Sequence, residues 1–499
     1  MKHHQANTEY EQLATLARQH EARGDATQAA RFYHLAGEQA AARYANKAAV
    51  EYLSRAITLT PDAVVGERLA LLLLRERVYA LQGNQEARQQ DLTSLEFLAN
   101  ALQNDHNRTE VTVRQAEFYL ETGAHDTAIS LAQAAARLAQ IVPSARLEAL
   151  AYMTWGKALI RQGKHDWAQT QLAQALQAAQ TTTLRQLEAD SIRAIGLLYM
   201  NQGDLTQARF CYLQAQEIYA EIDDCRGQSY TLNNLGHIAY ERKRFSEART
   251  HWQKALSMYQ AIGDRLGKAM VLSNLSATHM DVGDYAQAKE HGAEALDISQ
   301  LIQSPMAESM SLVNLALINH YQGEQAQALG LSREALQIGQ KMKSRRVQGY
   351  ALIPMAHALL ELDKPTEAQE AYWQALAIWH ELKQPGLIVE QRAGLARTNL
   401  ALGEDKEART QVAEILAHLK EDGALAGGES PFRVYLTCYE VLQKLGDDRA
   451  TEVLETAHTR LQEQAAAIVD EPLRLSYLQN VAAHQQIVAA YSSQESLAA

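Results

Sequence analysis

The sequence predicts an all-α solenoid, a stack of helix pairs in which each pair repeats the pattern of the previous one. Three observations support this prediction: glycines at a regular spacing, a matching series of alanines, and a composition poor in proline and aromatic residues. The 8 prolines and the 6% of aromatic residues favour helices over a β-sandwich or a barrel. A chain of 499 residues exceeds one ordinary compact core, which a repeated architecture explains.

Glycines mark the turn inside each predicted repeat. Neighbouring glycines of the series are separated by one repeat length, or by two where a glycine is missing. They are Gly83, Gly123, Gly163, Gly203, Gly283, Gly323 and Gly403. The interval, about 40 residues, is typical of helical repeat proteins. Lys243 and Asp363 occupy the two missing positions of the series. Because glycine has no Cβ and adopts the left-handed conformation at a helix end at little cost, we predict one helix before and one after each position.

Alanines follow the same spacing within the second helix of each repeat. The first series is Ala128, Ala168, Ala208, Ala248, Ala288, Ala328, Ala368 and Ala408, and the second is Ala135, Ala175, Ala215, Ala255, Ala295, Ala335 and Ala375. Because seven residues make two helical turns, both alanines of a repeat lie on one face, where another helix can approach closely. The stripe of Leu232, Leu235 and Ile238 predicts a helix before the turn. Each repeat is therefore predicted to be two antiparallel helices.

This pattern resembles the tetratricopeptide repeat (TPR) family, in its form with about 40 residues per repeat. Leu235 and Gly236, followed by Ala248 and Ala255, match the order of the family's motif, and the resemblance covers about residues 110–420. It implies a TPR-type α-solenoid, a right-handed superhelix whose first helices, the A helices, line the concave surface. We predict three regions: short helical repeats in 1–60, the TPR superhelix in 61–422, and a C-terminal repeat with capping helices in 423–499. The break between the last two lies at 423–431, "GALAGGESP".

Both ends of the chain carry a further resemblance. The stretch "ARFYHLAGEQAAARYANKAAVEYLSRAITLTP" and the closing "AAAIVDEPLRLSYLQNV" look like parts of the TPR region of bacterial STAND-type ATPases. That family includes relatives of the maltose-regulon activator and the AAA-linked nucleotide cyclases, in which a TPR arm senses a ligand or partner. The chain has no Gly-x-x-x-x-Gly-Lys-Ser/Thr motif to hold ATP phosphates. The resemblance therefore implies a sensor arm, either detached from its ATPase or a stand-alone homologue.

The resemblance places ligand contacts on the A helices, near an asparagine that recurs at the repeat spacing. This asparagine is Asn234, Asn274 and Asn314, and such an amide ladder can both donate to and accept from an extended peptide backbone. The alternative is that each asparagine bonds the neighbouring helix and fixes the packing of the repeats. The flanking candidates are Tyr230, Asn233, His237, Tyr240, Met270, Ser273, Met310, His320, Tyr321, Tyr350 and His357. A polar and aromatic surface with methionines suits an adaptable protein or peptide ligand.

Composition excludes several other classes of function. The net charge of −12, without a run of Lys or Arg, disfavours direct binding of nucleic acid. The absence of a long apolar stretch and of a secretory signal, and three cysteines without a pairing pattern, favour a cytoplasmic protein without a membrane span. The histidines lack the spacing of a metal site, and the paired acids Asp223-Asp224 and Asp447-Asp448 lie where aspartate caps helices.

The sequence thus predicts a non-catalytic scaffold without cofactor or metal, which binds a protein, a peptide or a small-molecule effector in its concave groove. Two alternatives stay open. One is a self-associating assembly or adaptor module that forms a homo-oligomer and has no ligand groove. The other is an enzyme in an unfamiliar helical fold.

Overall fold

The computed structural model describes residues 2–422 and 431–498, and the side chains of 9–419 and 431–494. Within these residues the chain forms α-helices joined by short turns, and no strand. The all-α solenoid of helix pairs is therefore confirmed. The predicted break at 423–431 lies outside the described residues apart from Pro431, and the three-region division stays a prediction.

The helices follow the predicted repeat spacing closely. In chain order they are α1 (Lys2–Ala22), α2 (Ala26–Ala42), α3 (Asn46–Leu59), α4 (Val65–Gln82), α5 (Gln85–Ala101), α6 (Asp105–Glu121), α7 (His125–Ile141), α8 (Ala145–Arg161), α9 (His165–Thr181), α10 (Arg185–Asn201), α11 (Leu205–Glu221), α12 (Cys225–Glu241), α13 (Phe245–Ile262), α14 (Arg265–Asp281), α15 (Tyr285–Leu301), α16 (Pro305–Tyr321), α17 (Gln325–Lys341), α18 (Arg345–Glu361), α19 (Pro365–Glu381), α20 (Pro385–Leu402), α21 (Asp405–Asp422), α22 (Pro431–Lys444), α23 (Arg449–Ala466), α24 (Glu471–Gln479) and α25 (Ala482–Ala498). From α4 to α21 the even-numbered helices are the A helices, and the odd-numbered helices are the B helices.

Every predicted turn position has a left-handed backbone. The φ angle is +79° at Gly283 and +82° at Gly323, and the two exceptions adopt the same conformation, with +55° at Lys243 and +58° at Asp363. Most turns from a B helix to the next A helix also contain a left-handed residue, which is usually not glycine. Examples are Thr183, Lys343 and Lys383. Without a glycine, nothing in the sequence marked these second turns.

Replacing Asp363 by glycine is expected to stabilise the protein by about 1 kcal/mol, because the left-handed conformation crowds a Cβ against the following carbonyl. The reverse change at the equivalent position, Gly323→Asp, is expected to destabilise by a similar amount, since its φ of +82° suits glycine. Urea denaturation of both variants measures the two shifts. Midpoints that move in the same direction would contradict this view of the turns.

The two alanine series are completely buried, with 0% exposure at every position from Ala128 to Ala408 in the first series and from Ala135 to Ala375 in the second. The A helices carry the complementary small residues. A Cβ added at Gly156 would lie 2.7 Å from Leu172, so this position tolerates no larger residue without movement. Ser276 fills the equivalent place in a later repeat, and its hydroxyl donates to the carbonyl of Ala288 at 2.7 Å. Close helix packing therefore explains the series.

The chain divides into two compact units. Unit 1 comprises Met1–Ile238 and Gln253–Lys268, and unit 2 comprises Ala239–Trp252 and Ala269–Ala499. Within unit 1, Asn46 Nδ2 at the start of α3 donates to the carbonyl of Ile262 at 3.2 Å, so two distant parts of this unit meet. No helix among the described residues is long and apolar enough to cross a membrane.

Within unit 2 the C-terminal helices contact repeats that lie far earlier in the chain. Arg249 forms an ion pair with Asp470 at 2.8 Å, and Asn480 Nδ2 donates to the carbonyl of Gly283 at 3.4 Å. The rings of Phe245 and Tyr477 pack with centroids 6.0 Å apart. These helices therefore cover part of the repeat surface of unit 2, in addition to extending the stack.

Candidate functional site

One candidate site is a cavity of about 500 Å³ in unit 1, lined by the A helices α4, α6, α8, α10 and α12 and by the turn before α10. Its lining residues are Arg77, Arg114, Glu117, Arg146, Leu150, Thr183, Leu184, Arg185, Gln186, Leu187, Asp190 and Arg226. Five of them are arginines and two are acids, and we call this space the arginine cavity. Arg77 on α4 and Arg226 on α12 line the same volume, and α3 contacts the end of α13 in the same unit.

Three of the five arginines have acidic partners. Arg114 donates to Glu110 at 3.1 Å and to Glu76 at 3.1 Å, and Arg146 donates to Glu110 at 2.5 Å. Burial acts to raise the pKa of Glu110, but the hydrogen bonds and charges of Arg146 and Arg114 outweigh it and hold this pKa below its ordinary value. Arg185 pairs with acids on α10 and α11, Glu188 and Glu221. These arginines are therefore fixed by the protein itself.

Arg77 and Arg226 keep donors available. Among the described residues Arg77 forms no hydrogen bond and no ion pair, and its side chain is exposed inside the cavity. Arg226 Nη2 lies 3.5 Å from the hydroxyl of Tyr230, while its buried Nε has no hydrogen-bond partner. A buried donor without a partner loses its hydration without compensation, so this N–H group is available to a ligand.

The electrostatic surroundings are positive. Enclosure by the protein, followed by the charges of Arg114, Arg226 and Arg146, lowers the pKa of Arg77. Burial raises the pKa of Glu117 above its ordinary value. An arginine stays charged at any ordinary pH, so its repulsion with the neighbouring arginines is not relieved by losing a proton.

A further cation lies on the same helices. Burial, together with the charge of Arg193, lowers the pKa of Lys157 on α8 to about 8. The ammonium group forms no hydrogen bond or ion pair with the part of the chain whose side chains are described. This lysine therefore adds to the positive potential of the A-helix face.

In unit 1 the predicted site residues lie on α12, the helix that contributes Arg226 to the arginine cavity. The hydroxyl of Tyr230 donates to Asp264 at 3.0 Å, and the guanidinium of Arg193 lies 5.1 Å above its ring. Asn233 is buried, whereas Asn234 and His237 are half-buried. Burial lowers the pKa of His237 to about 4, so its imidazole is neutral at physiological pH. Of these residues, Tyr230 stands nearest to the cavity lining, through Arg226.

In unit 2 the asparagine series serves packing at one position at least. Asn314 is buried, and its Nδ2 donates to both the carbonyl and the hydroxyl of Ser273 at 3.0 Å. Asn274, Met310 and Tyr350 are half-buried, and Met270 is exposed. Asn314 therefore bonds the neighbouring A helix, which is the alternative role considered for this asparagine series.

The remaining predicted residues come together around Arg433 of α22. Both Nη atoms of Arg433 lie 3.1 Å from Nε2 of His320, and the guanidinium lies 5.0 Å from the ring centre of Tyr321. His320 stacks on His357 at 5.2 Å. Burial, followed by the charge of Arg433, lowers the pKa of His320 to about 3. His320 is therefore neutral, with Nε2 accepting from Arg433 and Nδ1 donating to Gln325.

The C-terminal helices leave little room at this second site. The cavity there measures about 60 Å³ and is lined both by repeat residues such as Tyr285 and Tyr321 and by C-terminal residues such as Phe432 and His484. Nearby, the Tyr240 hydroxyl donates to Asp281 at 2.7 Å. The protein's own C-terminal helices thus occupy much of the predicted groove in unit 2, whereas the arginine cavity of unit 1 is open.

The arginine cavity was not predicted from the sequence, because the net charge of −12 for the whole chain does not reveal a local cluster of arginines. One signal was present: Arg146, Gln186 and Arg226 follow the repeat spacing in the first turn of successive A helices. A long polar donor at this position in three repeats predicts a line of donors along one face. Arg77 belongs to the cavity lining only because distant parts of unit 1 fold around the same space, which no short stretch of sequence predicts.

A family model described as "Tetratricopeptide repeat" matches the chain in three overlapping stretches, residues 185–261, 229–300 and 267–341. Together they span 185–341, and this confirms the resemblance that the sequence carries for that part of the chain. None of the curated proteins matches the chain in sequence.

Several solved structures resemble this one. A Rap protein in complex with Competence and Sporulation Factor shares 15% identity, covering 77% of this chain and 99% of that chain, with a TM-score of 0.49. A STAND protein with a TPR sensor from Pyrococcus horikoshii shares 15% identity, covering 86% of this chain and 67% of that chain, with a TM-score of 0.47. The apo quorum sensor NprR from B. thuringiensis shares 14% identity, covering 71% and 99%, with a TM-score of 0.49. Values this low transfer no ligand and no residue role.

Proposed function

We propose that this chain, which carries tetratricopeptide repeats over residues 185–341, is a non-catalytic scaffold whose A-helix face binds a ligand. The ligand is a protein or peptide partner, or a small effector that acts with it. The observation that carries the proposal is the arginine cavity, whose A helices present donors without partners at Arg77 and Arg226. Ligand pockets characteristically combine a preformed space of this size with a few convergent polar groups.

The resemblance of both chain ends to STAND-type regulators supports a role as the sensor arm of a bacterial signalling protein. The three cysteines are free, which fits the reducing cytoplasm that we propose as its location. In this proposal the repeats recognise the ligand, and a separate effector acts on the signal.

Among the asparagines of the ladder, we propose that Asn234 contacts the partner. It is half-buried on α12 and forms no side-chain hydrogen bond with the described part of the chain. Its amide is therefore available to a peptide backbone, unlike that of Asn314, which bonds Ser273. Tyr230 and His237 lie one helical turn to either side and complete the proposed contact surface.

A displayed peptide library tests this proposal. Peptides selected on the immobilised protein are expected to bind Asn234→Ala at least tenfold more weakly, about 1.4 kcal/mol, because a backbone hydrogen bond is lost. Phe210→Ala is the matched control, since this residue is 57% exposed on the B helix α11. Failure to enrich any peptide, or equal binding to both variants, would remove the peptide-binding proposal.

A further inference from the structure

We propose that the arginine cavity of unit 1 binds a small multivalent anion whose phosphate or carboxylate groups bridge Arg77 and Arg226. This inference rests on the proposed function, since it names the chemistry of the small effector that the A-helix face takes. It concerns residues that none of the sequence patterns singled out.

The geometry of the cavity favours a small ligand. Its volume of about 500 Å³ lies within the range of sites for metabolite-sized molecules. The lining residues come from five A helices around one space, and the bond from Asn46 to Ile262 closes unit 1 near the two ends of the lining. A concave site of this size suits a compact molecule better than a long acidic chain, which a net charge of −12 also repels.

The donors favour an oxyanion. A guanidinium group carries five N–H donors in a planar fork, which matches the oxygens of phosphate and carboxylate. Some N–H groups of Arg114, Arg146 and Arg185 already donate to carboxylates, such as those of Glu110 and Glu188. Arg77 and the Nε of Arg226 remain without partners among the described residues, and they belong to the same lining.

The charges of Arg77 and Arg226 favour a negatively charged ligand. Acidic partners outside the lining pair with Arg114, Arg146 and Arg185. Arg77 and Arg226 are therefore the lining arginines that form no ion pair among the described residues. Arg77 gains no relief by deprotonation, because an arginine keeps its charge. An anion placed between Arg77 and Arg226 would satisfy the free donors and offset the repulsion at the same time.

Calorimetric titration with pyrophosphate and, separately, with citrate tests the inference on the full chain. We expect saturable binding of at least one anion at one site per chain, and a loss of at least tenfold in Arg77→Gln. Arg137→Gln is the matched control, because Arg137 is an exposed arginine on the B helix α7, and it should bind as the wild type does. Binding of pyrophosphate alone identifies phosphate as the recognised group, and binding of citrate alone identifies carboxylate.

Thermal unfolding separates a ligand role from a structural role of Arg77. Without an anion, Arg77→Gln should melt at or above the wild-type temperature, because it removes a repelled charge that has no partner. With the anion, the wild type should gain melting temperature and Arg77→Gln should not.

Three results would overturn the inference: no saturable binding of either anion, equal binding by Arg77→Gln, or binding of a Glu-rich peptide by a protein that takes neither small anion. The last result would leave the proposed peptide-binding scaffold standing. Conversely, anion binding without any enriched peptide would remove the peptide part of the proposed function and keep the anion site.

Discussion

Replacing Trp379 by alanine is expected to cost about 3–5 kcal/mol of unfolding free energy, the range for removing a large aromatic side chain from a core. Trp379 is 0% exposed on α19. Its ring lies 4.9 Å from that of Tyr350, edge to face, and a Cβ added at Gly349 would lie 2.6 Å from it. Its indole nitrogen has no hydrogen-bond partner among the described residues, so the loss is one of packing.

The same helix provides the control for this prediction. Trp373 is 48% exposed, so Trp373→Ala is expected to cost less than about 1 kcal/mol, as for other surface positions. Urea denaturation followed by circular dichroism compares the two variants. In a solenoid each repeat is stabilised by its neighbours, so the loss at Trp379 should also weaken the repeats on either side of α19. Equal shifts for the two tryptophans would contradict the packing described for unit 2.

Replacing Glu76 by alanine is expected to cost about 3–5 kcal/mol, because it breaks a buried ion-pair network from one side. The carboxylate is 0% exposed and accepts from Arg88 Nε at 2.6 Å and from Arg114 Nη1 at 3.1 Å. Arg88 is itself 5% exposed. Its guanidinium would keep Glu121 and lose the partner of its Nε, which cannot reach water easily.

An exposed ion pair provides the comparison. Glu367 pairs with Lys364 at 3.0 Å, and both side chains are about half exposed. Glu367→Ala is expected to change the unfolding free energy by less than about 1 kcal/mol, and that change should shrink further at high salt. The loss in Glu76→Ala should persist at high salt, because buried charges are screened much less. A Glu76 effect as small as that of Glu367 would show that the network does not stabilise unit 1.

Much of the solenoid could be predicted because its determinants are local and repeated. Gly283 and Ala288 set a turn and a packing face within one short stretch, and the same physics acts in the next repeat at Gly323 and Ala328. Lys243 adopts the conformation of the glycine it replaces, since the flanking helices impose it. The turns at Thr183 and Lys343 could not be predicted, because there the packing of helices imposes a left-handed conformation on ordinary residues.

The candidate site was predictable only in part. The choice of the A helices follows from the repeat, and the Tyr230 hydroxyl lies 3.5 Å from Nη2 of Arg226, a residue of the arginine cavity. Asn314, however, has the same sequence signal as Asn234 and bonds Ser273 instead, because a neighbouring hydroxyl and carbonyl lie within reach. The arginine cavity depends on Arg77 and Arg226 meeting across unit 1. Their proximity comes from the closure of the stack, which is not encoded in any short stretch.

A crystal structure of the protein soaked with tungstate tests most directly whether the A-helix face of unit 1 is a ligand site. This tetrahedral dianion scatters anomalously and mimics the oxygen geometry of phosphate. We expect an anomalous peak inside the arginine cavity, within hydrogen-bond distance of Arg77 and Arg226, and no such peak in Arg77→Gln crystals. Tungstate bound only at other surfaces, with the cavity free of it, would contradict the account.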